Sequence, residues 1–199
     1  MKRILILSVV SLFATLSFAQ QEKGTWTIQP KLGMNVATMT EVDDADPRIG
    51  MAAGVGLQYQ VSDRFGISFD LLYSMQGCKT DGYISYVKAT EVDKMDYINI
   101  PILANVYLYK GLALKAGIQP GFNVIDKYKI SGGGASVTGN MSDILDIKRF
   151  DFSIPIGISY EHSNVVIDAR YNFGFTEAFD DTDFNNRVFQ LTLGYKFKL

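Results

Sequence analysis

The sequence contains very few of the residues that form cross-links, bind metals or activate nucleophiles. In 199 residues it has one cysteine, Cys78, and one histidine, His162. A single cysteine excludes an internal disulfide, and no second cysteine or nearby histidine suggests a metal site. We interpret Cys78, in the segment GCKTDG, as an incidental thiol in a loop. No metal ligands and no cofactor are predicted.

A strong charge bias and a helical repeat are absent too. The chain has 19 basic and 21 acidic side chains, a formal net charge of −2. Nucleic-acid-binding domains usually carry a basic surface, so no nucleic-acid partner is expected. After Ala19, apolar residues do not recur every 3.6 positions over any window comparable to the strand segments, which predicts that helices are minor. No linker divides the chain, and residues 20–199 are predicted to form one domain.

The N-terminal segment has the anatomy of a secretory signal peptide. Two basic residues precede an apolar run that begins at Ile4, and the small-residue site Ser17-Phe18-Ala19 follows the run. We predict cleavage after Ala19, with residues 1–19 outside the folded domain. A retained transmembrane helix is the less favoured alternative, because the run contains serine and threonine.

From Trp26 to the C-terminus, apolar and polar residues alternate, which is the period-2 signal of strands with two unlike faces. Eight segments show it: residues 26–36, 51–61, 65–75, 97–109, 112–124, 150–160, 165–175 and 189–199. Short connections alternate with long ones; the short are 62–64, 110–111 and 161–164, and the long are 37–50, 76–96, 125–149 and 176–188. This arrangement predicts an all-β fold, an eight-stranded antiparallel up-and-down barrel, in which closure removes both sheet edges.

The two faces of these strands differ in composition. One face is bulky and apolar, and the other is small or polar and holds the strand glycines. An eight-stranded lumen is too narrow for the apolar set, so these side chains are predicted to face lipid in a transmembrane barrel, not the interior of a soluble lipocalin-like one. In FDFSIPIGISY, Asp151 and Ser153 are therefore predicted to face inward, and Phe152 and Ile154 to face lipid. Seven ionisable side chains share the inward face: Lys31, Asp70, Lys115, Asp151, Asp168, Arg170 and Lys196.

Aromatic residues gather near both ends of the predicted strands, as they do at the two interfaces of a membrane. Near the short-turn end are Trp26, Tyr59, Phe65, Tyr160 and Phe197, and near the long-loop end are Tyr73, Phe122, Phe150, Phe175 and Phe189. These two groups predict two aromatic girdles. With short turns in the periplasm and long loops outside, both chain ends are predicted to be periplasmic.

The segments DYINIPILANVYLY, KAGIQPGFNV, FDFSIPIGISYE and VIDARYNFGF resemble the outer-membrane β-barrel family of Bacteroidota, which includes PorT-like proteins, in a barrel of OmpA or OmpX size. The resemblance spans roughly residues 26–199. It implies an eight-stranded barrel in the outer membrane but no single activity, and PorT itself is associated with the type IX secretion system. The alternation of Phe189, Leu191, Leu193, Tyr195 and Phe197 also resembles the C-terminal signal read by the barrel-assembly machinery, with Leu199 in place of the usual final aromatic.

The inward charges have two interpretations. A paired network would plug the lumen, because buried charges must be paired, and a polar path for ions or small solutes is the alternative. A hydrolase is not favoured, because His162 and the adjacent Ser163 lie in a short turn without a third group to orient them. EVDDADPR (41–48) and EAFDDTDFNN (177–186) lack EF-hand spacing and are interpreted as solvated acidic loop surface. SGGGASVTGN (131–140) is interpreted as a flexible loop segment.

Together these observations favour a non-enzymatic outer-membrane barrel with a plugged polar lumen and long extracellular loops. A PorT-like component of a type IX secretion assembly and a narrow, porin-like channel are the alternatives. The expected partners are outer-membrane lipid, the barrel-assembly machinery during biogenesis, and a secretion-system or surface protein.

Overall fold

A computed structural model describes residues 22–39, 45–84, 87–143, 148–177 and 185–199. The predicted signal peptide, residues 1–19, lies outside these ranges, as do residues 41–44 and 178–184 of the two acidic segments. Within the described ranges, no helix has the length and hydropathy that crossing a membrane would take.

Antiparallel strands make up nearly all of the described chain. They are β1 (Trp26–Met39), β2 (Ala45–Ser62), β3 (Phe65–Gln76), β4 (Cys78–Ile84), β5 (Val87–Asn99), β6 (Ile102–Tyr109), β7 (Leu112–Gly132), β8 (Ala135–Asn140), β9 (Phe150–His162), β10 (Val165–Glu177), β11 (Asn185–Tyr195) and β12 (Phe197–Lys198). A 3-10 turn, Met141–Asp143, follows β8. The prediction of an all-β antiparallel fold is confirmed.

The sheet closes on itself because the first strand, β1, pairs with β2 on one side and with β11, near the end of the chain, on the other. Lys31 lies opposite Gly54 of β2 and also opposite Gly194 of β11. From β2 the antiparallel pairings continue through β3, then β5 with β6, and then β7, β9, β10 and β11. Closure satisfies the backbone of the wall within the sheet, as a bilayer requires.

The described residues form twelve strands, so the predicted count of eight is not confirmed. The predicted strand 97–109 is divided at Ile100 and Pro101 into β5 and β6, both of which pair with β3. Proline has no backbone N–H and interrupts the ladder at that point. The predicted strand 189–199 is likewise divided, into β11 and β12, and both parts pair with β1.

The other additional strands lie in the predicted loops 76–96 and 125–149, and that loop assignment is wrong. β4 begins at Cys78 and pairs with β5, while β8 pairs with the end of β7. The segment SGGGASVTGN is thus a β-hairpin. Its turn residues Gly133 and Gly134 have φ values of 58° and 82°, as a two-residue hairpin turn requires.

Cross-strand pairing, which sequence alternation does not report, explains these extra strands. β5 and β7 continue past the wall and pair with each other from Asn99 and Gly121 out to Ala89 and Gly132. Both faces of this extension carry polar side chains, so the period-2 signal is weak there. β2 begins at Ala45, before the predicted start at residue 51, for the same reason: its first residues pair with β4.

Side-chain burial shows which face of the wall is inside. In β1, Lys31 is buried, whereas its neighbour Leu32 is 60% exposed. In β9, Asp151 and Ser153 are buried, whereas Ile156 is 53% exposed. The buried positions of the wall strands are mostly polar and the exposed ones apolar, which is the reverse of a water-soluble barrel. The predicted inward direction of the polar face is confirmed.

Glycines on the inward face let neighbouring strands approach closely. A Cβ atom at Gly33 or Gly54 would lie 2.0 Å from a backbone carbonyl oxygen of the adjacent strand, and one at Gly117 would lie 1.9 Å from that of Ile102. Contacts this short require the backbone to move. The curvature of the wall therefore depends on glycine at these positions.

Candidate functional site: the charged interior of the barrel

Five of the seven predicted lumen residues form one network, which we call the central network. Asp70 on β3 accepts hydrogen bonds from Lys31 Nζ at 2.6 Å and from Arg170 Nη2 at 3.3 Å. Asp168 on β10 accepts hydrogen bonds from Arg170 Nε at 2.8 Å and from Lys115 Nζ at 2.5 Å. Arg170 thus joins the two carboxylates across the lumen, and all five side chains are buried.

Glycines beside these long side chains leave them room to cross the lumen. Gly157 on β9 lies opposite both Lys115 and Arg170, and a Cβ atom at Gly157 would approach Arg170 Cβ to 2.7 Å. A Cβ atom at Gly56 would lie 2.3 Å from Asp70 Oδ1. The alternation of glycine with charged residues in the inward register is therefore what allows the network to form.

Lys196 belongs to a second group, near the short-turn end of the barrel. Its Nζ lies 2.5 Å from Glu161 Oε2 and 3.1 Å from the hydroxyl of Tyr107. Gln58 Nε2 donates to the same Tyr107 hydroxyl at 2.8 Å. These polar side chains, all buried, fill the lumen below the central network.

Sequence reasoning misses Glu161, because it assigns residues 161–164 to a turn. β9 runs to His162, and Glu161 continues the inward alternation that begins at Asp151 and Ser153. That alternation is the signal that would have found it. With Glu161 included, the seven predicted lumen residues become a balanced set of four cations and four anions: Lys31, Lys115, Arg170 and Lys196 against Asp70, Asp151, Asp168 and Glu161.

Asp151 lies apart from both groups, toward the long-loop end. Its Oδ1 accepts hydrogen bonds from Asn186 Nδ2 and from the Thr176 hydroxyl, each at 3.3 Å. The Asn186 amide also donates to the Tyr97 hydroxyl at 3.2 Å. Amide and hydroxyl donors therefore solvate this carboxylate. The seven predicted residues fall into three groups and do not form one cluster.

Other inward positions of the lumen carry amide side chains. Asn99, Asn172 and Gln190 are buried, and their side-chain amide atoms have no hydrogen-bond partner among the described residues. Gln119 differs from these three because it forms a hydrogen bond: its Nε2 donates to Ser153 Oγ at 3.0 Å. The interior is thus polar along its length, but its ion pairs are concentrated at two levels.

A small apolar cluster covers the long-loop end of the lumen, and we call it the cap cluster. It consists of Met39 from β1, Cys78 from β4, Met95 and Tyr97 from β5, and Met141 from the 3-10 turn, with Tyr128 from β7 packed against it. All members except Tyr128 are at most 5% exposed. Cys78 is therefore part of a packed core, and its predicted place in a loop is wrong.

Cys78 and Asp93 form a polar pair at the edge of the cap cluster. Cys78 Sγ donates to Asp93 Oδ2 at 3.6 Å. Burial, and then the charge of Asp93, raises the pKa of the Cys78 thiol to about 12. Burial, and then the neighbouring Glu91 carboxylate, raises the pKa of Asp93 to about 6. Ionised Asp93 is consequently less favourable in the folded cap than in the unfolded chain.

The cap is therefore expected to open more readily as the pH rises through Asp93 titration. The pKa of Asp93 is about 4 in the unfolded chain and about 6 in the folded cap. Below pH 4 the carboxyl is protonated in both states and does not change the stability of the cap. Above pH 6 it is ionised in both states and the cap is destabilised by the full amount. Labelling of Cys78 by a maleimide reports opening. Asp93→Asn should label as fast as wild type near pH 4 and about tenfold more slowly above pH 6, allowing for partial solvent screening. Equal rates at all pH values would contradict this role of Asp93.

The aromatic residues predicted as girdles all lie on the outward register, where each is at least partly exposed. At the short-turn end, the rings of Trp26 and Tyr59 are 4.8 Å apart. At the long-loop end, those of Phe122 and Phe150 are 5.7 Å apart. Tyr73 also donates from its hydroxyl to Asp96 Oδ2 at 2.6 Å. Their role as anchors at the membrane interfaces stays a prediction.

The residues considered for catalysis and for metal binding do not assemble a site in the described chain. His162 ends β9, and Ser163 follows it in the turn with φ 46°. No group of three or more His, Cys, Asp or Glu side chains is placed to hold a metal within the described ranges. Arg48, from the acidic segment 41–48, is buried, pairs with Asp96 at 3.2 Å and also donates to the Gln76 carbonyl oxygen. It is therefore not part of a solvated loop.

A closed antiparallel wall with a charged interior and an apolar exterior defines a transmembrane β-barrel. The family described as "Outer membrane protein beta-barrel domain" matches residues 18–180 of the sequence. The chain belongs to this family of outer-membrane barrels. Among proteins with curated descriptions, none matches the sequence.

Solved barrels of the outer membrane are similar in structure. Ail, the attachment invasion locus protein of Yersinia pestis, has 18% sequence identity and a TM-score of 0.51, over 88% of this chain and 99% of Ail. Neisserial surface protein A, NspA, has 12% identity and a TM-score of 0.48, over 86% of this chain and 97% of NspA. At such identities the likeness to Ail establishes the fold alone.

Proposed function

We propose that this chain is a non-enzymatic outer-membrane barrel whose lumen does not conduct and whose strands beyond the long-loop end contact partners at the cell surface. The observation that carries the proposal is the central network. Arg170 is 1% exposed and bridges Asp70 and Asp168, with Lys31 and Lys115 on either side. In a small barrel, side chains of this size leave little free bore.

The proposal includes an orientation. The signal peptide is removed after Ala19, the barrel-assembly machinery inserts the chain, and both termini face the periplasm. The extensions of β5 and β7, with β4 and β8, then stand outside the cell. The support for this orientation is that outer-membrane barrels keep short turns in the periplasm and longer segments outside.

Electrical recording tests the closed lumen. The mature protein, refolded and reconstituted in a planar bilayer, is expected to give no ohmic conductance, because the central network and the cap cluster block the path. A charge-neutral double variant, Arg170→Ala with Asp168→Ala, removes one cation and one anion from the centre and is expected to raise conductance above that of the wild type. Heat-modifiable gel migration verifies folding of both proteins. Steady conductance by the folded wild type would contradict the proposal and favour the narrow channel.

A PorT-like role in a type IX secretion assembly is the second candidate, and the four sequence segments that resemble PorT-like proteins favour it. Crosslinking in intact cells, followed by identification of the attached proteins, separates the candidates. Recovery of a defined secretion complex supports the PorT-like role. Attachment of other surface proteins, without secretion components, supports the general contact role.

A further inference from the structure

The extension formed by β5 and β7 carries a group of lysines on its outer face. Met95 of β5 and Tyr128 of β7 both point into the cap cluster. Because successive side chains of a strand point to opposite faces, their neighbours Lys94, Lys127 and Lys129 point outward. Lys127 and Lys129 are exposed, and Lys94 is half-buried.

Two of these lysines directly oppose each other. Lys94 and Lys127 are partners in the β5–β7 ladder, and Lys129 lies two residues further along β7 on the same face. Like charges at directly opposed positions of a sheet are destabilising. The face therefore has a local excess of positive charge that the pairing of the strands itself makes worse.

The carboxylates of the described chain neutralise this excess only in part. Asp96, two residues from Lys94 on β5, is buried and pairs with Arg48. Asp143 accepts a hydrogen bond from Asn140, which lies opposite Lys127. None of the salt bridges among the described residues includes Lys94, Lys127 or Lys129. Asp81 is on the outer face but is shared by two other lysines of β4 and β5. Asp126 lies opposite Met95, and therefore on the inner face.

The position of the three lysines relative to lipid follows from the strand geometry. Ile98 is on the same face of β5 as Lys94 and is 38% exposed on the lipid-facing wall. Lys94 and Ile98 are four positions apart, a rise of about 13 Å along the strand, and less along the membrane normal because barrel strands are tilted. A lysine side chain can reach several ångströms further toward the interface. In the proposed orientation, we expect this distance beyond the lipid-facing wall to bring the ammonium groups to the level of the lipid headgroups.

We propose that Lys94, Lys127 and Lys129 form a binding surface for the phosphate groups of outer-leaflet lipid headgroups. The inference rests on the proposed orientation, which places the β5–β7 extension outside the cell. A phosphate between opposed ammonium groups removes their repulsion and accepts charge-assisted hydrogen bonds from them. Thr138 of β8, opposite Lys129, presents a hydroxyl donor on the same face.

The test measures binding of diphosphorylated lipid A to the full mature protein in neutral detergent micelles, by native mass spectrometry. Lys94→Gln with Lys127→Gln and Lys129→Gln should weaken this binding about 100-fold, since each lysine near an anionic lipid surface contributes a factor of about five. The matched control is Lys23→Gln with Lys110→Gln and Lys198→Gln, which makes the same change in charge at the short-turn end. This control should bind lipid A with nearly the wild-type affinity.

Two further ligands identify the source of the anion. Lipid A stripped of both phosphates should bind no more tightly to wild type than to the β5–β7 variant, and inorganic phosphate alone should not bind measurably. Equal binding of intact lipid A by the two triple variants, or saturable binding of inorganic phosphate, would overturn the inference. If the β5–β7 variant lacks the heat-modifiable migration of a folded barrel, the inference is tested on the wild type alone. Its affinity for lipid A must then fall steeply as the salt concentration rises, and an affinity independent of salt would overturn the inference. None of these outcomes depends on conductance, so the proposed function and this inference fail separately.

Discussion

Replacing Asp70 by asparagine is expected to lower the free energy of unfolding by about 3–5 kcal/mol. The Asp70 carboxylate accepts hydrogen bonds from Lys31 and Arg170, and all three side chains are buried. Asparagine has nearly the same size but no charge, so Lys31 would remain buried without its anion and Arg170 would keep only Asp168. Urea unfolding of the protein refolded into lipid vesicles measures the change.

Two further variants control this experiment. Asp46→Asn removes a carboxylate from an exposed position at the start of β2 and is expected to change stability by less than about 0.5 kcal/mol. Adding Lys31→Met to Asp70→Asn removes the buried cation that has lost its anion and should recover part of the loss. If Asp70→Asn were as mild as Asp46→Asn, the central network would not stabilise the barrel.

Substitution of Ile156 by arginine is expected to impair assembly strongly. Ile156 lies near the middle of β9, is 53% exposed, and pairs with Ala116 and Tyr171 on the outer face. A cation at the midplane of a bilayer costs about 2–4 kcal/mol on the lipid-facing side of a barrel. The fraction of protein with folded, heat-modifiable migration after refolding into vesicles measures the effect.

The matched control for Ile156→Arg is Ser153→Asn, three residues away on the same strand. Ser153 faces the lumen and accepts a hydrogen bond from Gln119, which an asparagine oxygen can also accept. This variant should assemble far better than Ile156→Arg. Equal assembly of the two proteins would show that the inner and outer faces of β9 have been assigned the wrong way round.

The wall of the barrel is the part of the fold that the sequence predicts well. Strict alternation over long segments follows from two solvents, lipid outside and a polar lumen inside, so Leu32 and Ile156 are distinguishable from Lys31 and Ser153 by pattern alone. The strand count is not predictable in the same way. Pro101 interrupts a ladder in the middle of one alternating segment, and nothing in the alternation itself changes there.

The extensions of β5 and β7 beyond the wall, in contrast, are not predicted by the sequence pattern. Their strands have polar side chains on both faces, so the local pattern resembles a loop, and pairing between β5 and β7 over long sequence separation forms them. The cap cluster depends on the same pairing, since it brings together Met39, Cys78, Met95 and Met141 from four elements. Cys78 therefore lies in a packed core, although its neighbours in sequence are typical of a turn.

The sequence by itself determined which side chains face the lumen and which face lipid, because that choice depends only on the period of the strand. Only the tertiary structure decided which lumen charges meet. It joined Lys31, Asp70, Lys115, Asp168 and Arg170, placed Asp151 among amides and hydroxyls, and paired Lys196 with Glu161. The physical reason is that ion pairs form across the lumen between strands far apart in sequence, so their partners depend on the register and stagger of the whole closed sheet.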